Sequence, residues 1–242
     1  MDIKDLDKKL SLWAEKLAKG DRRALLARLA GLKSVFPFNE YEYRLMFLLN
    51  KEVINFKEYE NLRNNYVKQN PYLDLYGLAP RIFGEVWVQQ HLMDIDERFE
   101  KPSIDVFSNY QGEYDLYIPQ DKKITKIEVK ASRAINTKVR GHLQEKALNF
   151  QSIAPFWMNF QQIKLDIADA FIFVGVWTDK ILYWVFTNDE VKTHPIISHQ
   201  HRGGIEYQIG IKDNNINEFK KYSVNPTEIV DTILNKTLKK VK

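Results

Sequence analysis

Eight consecutive residues, Ala170 to Trp177, carry no polar side chain, and any fold for this chain must hide them. The run is far short of the roughly 20 apolar residues that a membrane helix requires. Its Phe171-Ile172-Phe173-Val174-Gly175-Val176-Trp177 part reads as a strand covered on both faces. Such a strand implies a sheet with a layer of structure above it and another below. The chain can supply those layers, since 44% of its 242 residues are hydrophobic and 13% aromatic, well away from the composition of a disordered chain. That length fits one large domain or two small ones.

Hydrophobic periodicity divides the chain. Leu6, Leu10, Trp13 and Leu17 share one helical stripe that Gly20 can end, and Asp21 can cap a second helix bearing Leu25, Leu26, Leu29 and Leu32. After Pro37, Asn39 can cap a third through Leu45, Phe47 and Leu48, while Phe56, Tyr59, Leu62 and Tyr66 line a fourth. Asn70-Pro71 opens a loop that runs to Pro80, after which Arg81 to Leu92 is expected as a fifth helix. From residue 103 the period changes to two. Strands are expected over 104–107, 114–118 and 124–131, with Pro119 to Lys123 as the turn between the last two. A helix is expected over 141–152, and Thr178-Asp179-Lys180 turns the apolar strand into another over 181–186. A short helix from Asn188, a strand over 205–211 and a terminal helix over 227–238 complete the outline. The expected class is α/β, or mixed α+β: a central mixed β-sheet flanked by helices over residues 76–242, preceded by a helical region over 1–75.

The formal charge is only +4, from 36 basic and 32 acidic residues. Asp121 to Lys146, however, holds eight basic residues against three acidic ones, a surplus of five. The last eleven residues hold Lys236, Lys239, Lys240 and Lys242 with no acid, so the remainder of the chain is net −5. Concentrated positive charge is the footprint of a polyanion partner. In the tail it equally suits the end of a solvated helix. Cysteine is absent, which excludes disulfides, thiolate metal sites and a cysteine nucleophile. No apolar segment follows a basic start, so a cytoplasmic location is expected rather than secretion. No Walker A loop, dinucleotide fingerprint or Gly-x-Ser-x-Gly elbow is present, and those chemistries lose support.

The residues left to do chemistry converge on one strand, Ile127-Glu128-Val129-Lys130-Ala131-Ser132. Side chains alternate, so Glu128 and Lys130 share one face while Ile127, Val129 and Ala131 take the other. With Asp121-Lys122 at the centre of the hairpin, Asp115 falls opposite Glu128; a turn widened by Pro119 slips this by one residue and still leaves Asp115 within reach. Two adjacent carboxylates repel each other, and a hard divalent cation relieves that repulsion. Such a cation acidifies water and neutralises a phosphorane, while a neighbouring lysine orients or deprotonates the water. Glu85, on the preceding helix, offers a third carboxylate.

These residues resemble the PD-(D/E)XK nuclease superfamily, in particular type II restriction endonucleases. The match consists of Asp115, then Glu128-Val129-Lys130, and a preceding helix bearing Glu85 within Phe83-Gly84-Glu85-Val86-Trp87-Val88. Phe160-Gln161-Gln162-Ile163-Lys164 and Asp169-Ala170-Phe171-Ile172-Phe173 look like the helix and buried strand that follow the motif in such enzymes. The resemblance spans residues 70 to 210. It implies a restriction-endonuclease-like fold, Mg²⁺ held by Asp115 and Glu128 with Val129 beside them, and Lys130 assisting the attacking water. It also implies double-stranded DNA as partner and a homodimer to cut both strands. No proline precedes Asp115, so Asp105 is a rival first acid.

Ser132, Arg133, Lys138 and Arg140 follow the lysine inside the basic segment and are candidate DNA contacts, or a strand end turning into solvent. His199, Gln200, His201 and Arg202, ahead of Gly203-Gly204, form a polar loop suited to groove contacts, to a plain turn, or to a zinc ion with carboxylates. Trp13, Trp87, Trp177 and Trp184 fall on apolar stripes and are expected in the core. Two other readings stay open: a monomeric nicking or DNA-repair nuclease of the same superfamily, and a non-catalytic DNA-binding protein.

Overall fold

The computed structural model describes residues 3–31, 40–121, 123–199 and 205–238. The expected cap Asn39, the candidate groove-contact residues Gln200, His201 and Arg202, and Lys239 to Lys242 lie outside them. The chain forms two compact units. One comprises residues up to Gly77 with Thr137–Ser152 and Thr178–Lys180; the other comprises Leu78–Asn136, Ile153–Trp177 and Ile181–Lys242.

The first unit holds α1 (Ile3–Glu15), α2 (Lys19–Gly31), α3 (Glu40–Asn50) and α4 (Phe56–Gln69). Their apolar stripes meet in a core of Leu10, Leu17, Leu25, Leu45, Leu48, Ile54 and Leu62. Helix α2 begins at Lys19, so Gly20 and Asp21 lie in its first turn rather than ahead of it. Helix α4 starts where Asn55 and Glu58 cap each other: Asn55 Oδ1 accepts from the Glu58 N–H (3.0 Å), and Glu58 Oε2 accepts from the Asn55 N–H (2.9 Å). Tyr41 stacks on Tyr66 at 4.1 Å, closing α3 onto α4. Only a 3-10 turn, Leu143–Lys146, forms where a helix over 141–152 was expected. Gly141 has a φ of 136°, outside the helical range, and the Leu148 carbonyl accepts from the Thr178 N–H (2.9 Å) instead of from a following turn.

In the second unit a π-helical segment, Ile82–Trp87, runs into α5 (Val88–Ile95). The strands are β1 (Leu116–Pro119), β2 (Ile124–Arg133), β3 (Ile135–Asn136), β4 (Phe156–Lys164), β5 (Ala170–Val176) and β6 (Ile181–Thr187). After a short helix α6 (Asn188–Lys192) come β7 (Ser198–His199), β8 (Glu206–Lys212), β9 (Ser223–Val224) and α7 (Ile229–Leu238). A five-stranded sheet has the order β1-β2-β5-β6-β9, in which β2 and β5 are parallel and the other pairs antiparallel. A second sheet, β3-β4-β8-β7, is antiparallel throughout. The class expected from the sequence, a mixed sheet flanked by helices, is the class observed.

Every residue of β5 is buried. Phe173 stacks on Phe160 of β4 at 4.8 Å, so the second sheet covers one face of the first. Gly175 is required by that approach: a Cβ there would meet the Trp184 ring at 2.7 Å and the Met158 sulfur at 2.9 Å. On the other face, the Arg133 guanidinium lies 4.0 Å from the Phe83 ring of the π-helical segment.

Two expected elements differ. Residues 104–107 form a turn, because the Val106 and Phe107 N–H groups both bond to the Ser103 carbonyl (3.2 and 2.9 Å). Phe160 to Lys164, expected as a helix, is the end of β4, bulged between Phe160 and Ile163 with Gln162 at a φ of 55°. Cross-strand pairing with β8 overrides local preference there, since it buries Met158, Phe160 and Ile163. Among the described residues, no helix is long and apolar enough to cross a membrane.

Candidate active site

Strand β2 carries the site. Its parallel register with β5 sets Glu128 beside Phe171 and Lys130 beside Phe173, on the face that turns toward the second sheet. Lys130 Nζ lies 2.6 Å from Glu128 Oε1. The hairpin ladder pairs Leu116 with Ile127 and Pro119 with Ile124, the register whose continuation would set residue 115 opposite 128. At Asp115 the chain departs from that ladder by one residue, its N–H donating to the Ile127 carbonyl (3.0 Å). The departure aims the carboxylate along the open edge of β2, where Oδ2 accepts the Val129 N–H at 2.8 Å. Oδ1 accepts from Gln89 Nε2 of α5 at 2.9 Å. Asp115 is therefore held by one donor from the sheet and one from the helix.

Electrostatics follow from that enclosure. Glu128 is only 7% exposed, and burial, with the Asp115 charge beside it, pushes its carboxyl up to about 7 against the pull of Lys130. Burial likewise raises Asp115, opposed by the Val129 N–H and by Lys130. The Asp115 and Glu128 carboxyl groups weigh on each other's ionisation, so they titrate as a pair rather than singly. Tyr110, whose hydroxyl donates to the Tyr114 carbonyl (2.7 Å), is raised by burial and by the Asp115 charge.

Two enclosed carboxylates that repel each other make the donor set that a hard divalent cation relieves, and their oxygens are the ligands it prefers. Gln89 Oε1 adds a buried acceptor with no donor among the described residues. The residues present thus fit a Mg²⁺-type ion. The carboxylates that meet are two, since no group of three His, Asp or Glu able to hold a metal occurs among the described residues.

The remaining candidates separate by position. Asp105 is exposed in the turn after Ser103, so Asp115 is the acid beside Glu128. Glu85 is on the expected helix, but its side chain is 57% exposed and paired with Arg81 at 2.9 Å, and it reaches Asp115 only as a distant charge. Four residues further along that helix, Gln89 makes the contact expected of Glu85. Val129 contributes its N–H to Asp115 while its side chain is buried. Ser132 Oγ accepts the Asn159 N–H (3.0 Å) and so joins β2 to β4. Arg133 does not reach outward for phosphate: it is 6% exposed, donates to the Leu78 carbonyl (2.9 Å) and lies over Phe83, because alternation turns it to the helix-covered face of β2. Lys138 and Arg140 are exposed but belong to the other unit. His199 is exposed at the edge of the second sheet, its ring 4.4 Å from Tyr207.

Sequence reasoning missed Gln89. Its signal was a polar residue between Val88 and Leu92 on a stripe that is otherwise buried.

The fold and site define a class: mixed α/β proteins with a carboxylate and a lysine on one strand and a second enclosed carboxylate at the start of the neighbouring hairpin arm. One solved structure that resembles this chain is that of a bacterial homing endonuclease, I-Ssp6803I, with 13% sequence identity and a TM-score of 0.38; the likeness covers 68% of this chain and 99% of the other. No protein-family model matches the sequence, and no curated protein matches it. Likeness at that level is no argument for function, which has to be argued from the site itself.

Proposed function

We propose that this protein is a Mg²⁺-dependent endonuclease that hydrolyses phosphodiester bonds of double-stranded DNA at defined sequences, in the manner of type II restriction enzymes. The observation that carries the reading is the Asp115–Glu128 pair with Lys130 2.6 Å from the second acid. Hydrolysis of a phosphodiester builds negative charge on phosphorus oxygens and needs a deprotonated water in line with the leaving oxygen. A cation held by Asp115 and Glu128 supplies positive charge there and acidifies water. Lys130 has three N–H donors, of which one engages Glu128, leaving the others for the attacking water or a non-bridging phosphate oxygen. Burial keeps bulk water from screening these charges. Lys138, Arg140 and the segment His199 to Arg202 are the proposed DNA contacts. Two copies related by a two-fold axis are the simplest way to present two such sites to the two strands.

Supercoiled plasmid incubated with Mg²⁺ should yield discrete linear fragments. Open circles alone would indicate a nicking enzyme, and intact plasmid with both Mg²⁺ and Mn²⁺ would sink the nuclease reading. Lys130→Ala should lower the cleavage rate by about 10²–10⁴-fold. DNA affinity measured by filter binding should stay close to wild type, whereas a purely DNA-binding protein would show no cleavage to lose.

A further inference from the structure

We propose that Gln89 is the positioning residue for the metal-binding carboxylate: its amide nitrogen orients Asp115, and its amide oxygen is an acceptor for the water around a bound cation. This inference rests on the nuclease reading of the same site and adds a residue that the resemblance does not supply.

Asp115 receives one hydrogen bond on each oxygen, from Val129 N–H at 2.8 Å and from Gln89 Nε2 at 2.9 Å. Donors on both oxygens, one from the backbone of β2 and one from α5, fix the plane of the carboxylate. In the ionised form that holds a cation, Asp115 can only accept, so the nitrogen of the Gln89 amide faces it. The oxygen then points elsewhere, and it is buried with no donor among the described residues.

Gln89 is 6% exposed, so this is costly: burying an amide is tolerated when both of its ends are used. The two ends of an amide lie about 2 Å apart by covalent geometry. Whatever satisfies Oε1 must therefore come from the immediate surroundings of the Asp115 carboxylate. Divalent cations of the Mg²⁺ type retain several water ligands, each of them a donor. Glu85 cannot take this role, because it is held by Arg81 one turn nearer the solvent. Partners behind a metal ligand commonly change metal affinity by about 10–100-fold when removed.

Calorimetric titration with Mn²⁺ at pH 8, together with the melting temperature of the cation-free protein, tests the assignment. Gln89→Met removes donor and acceptor at nearly constant length. It should weaken Mn²⁺ binding by about tenfold or more. The cation-free melting temperature should change little, because losing the unpartnered Oε1 offsets losing the donor to Asp115. If Gln89→Met fails to fold, Gln89→Asn, one methylene shorter, keeps an amide in place and should weaken binding to a similar degree. Unchanged Mn²⁺ affinity, or a drop in melting temperature with affinity intact, overturns the positioning role while leaving the nuclease reading standing. Absence of Mn²⁺ binding by the wild-type protein overturns both.

Discussion

At Glu128 one side chain answers to two demands: it is enclosed between strands, and it must be ionised to hold a cation. Enclosure lifts its pKa from 4.5 to about 7, so between those values the native state carries a proton that the unfolded chain has released. The stabilisation is complete below pH 4.5 and is lost as pH rises through 7. Because Asp115 and Glu128 perturb each other's ionisation, the step belongs to the pair. Metal-free protein should therefore melt at lower temperature at pH 8 than at pH 6, by an amount equivalent to about 1 kcal/mol. Glu128→Gln should flatten that dependence, and Mg²⁺ should restore stability at pH 8 by binding only the native state. Melting curves across this range with and without Mg²⁺ are the check; a flat profile in metal-free buffer would contradict the enclosed pair. Much of this residue-scale picture could be read from the sequence, since Glu128 and Lys130 share a face by strand alternation and Asp115 comes near through a short hairpin. Arg133 could not: the same alternation that exposes Lys130 turns Arg133 under Phe83, and only the covering helix makes that face an interior.

At the scale of elements, the decisive piece is β5. Its apolar run made it recognisable, but its neighbours decide how tightly it is packed. Gly175 sits where β4 approaches closest, with Trp184 and Met158 within 3 Å of any added Cβ. Gly175→Ala should cost about 1–3 kcal/mol through overpacking. A lower urea midpoint with unchanged slope would show it; an unchanged midpoint would mean that β4 and β6 yield more readily than their packing suggests. Two of the three elements that differ from expectation, 104–107 and 160–164, are short, and the third, 141–152, is interrupted by Gly141 at a positive φ. In short segments local preference is weak, and pairing partners far along the chain determine the outcome. Strand β4 became a strand because β8, more than forty residues later, lies beside it. The π-helical entry to α5 likewise lies outside what an apolar stripe can report, and with it the fact that Gln89, rather than Glu85, reaches the acid.

For the molecule as a whole, the charge partition must be revised. The surplus between Asp121 and Lys146 includes Lys130, paired with Glu128, and Arg133, buried, so fewer of those eight basic groups remain for a partner than the count implies. The segment is also divided between the two units at Asn136 and Thr137. If the proposed nuclease uses Lys138, Arg140 and the residues around His199 on DNA, log affinity should fall linearly with log salt, by about 0.9 per phosphate contact. Binding isotherms of the Lys138→Ala and Arg140→Ala variants should each show a shallower slope; slopes identical to wild type would remove these residues from the interface. The sequence by itself determined the periodicities: the helical stripes, the doubly buried strand and the shared face of Glu128 and Lys130. These follow from covalent geometry repeated along a chain. Only the tertiary structure decided burial, and with it the raised carboxyls, the inward Arg133 and the contact from Gln89 to Asp115. Desolvation depends on which distant residues close over a group, and no local pattern encodes that.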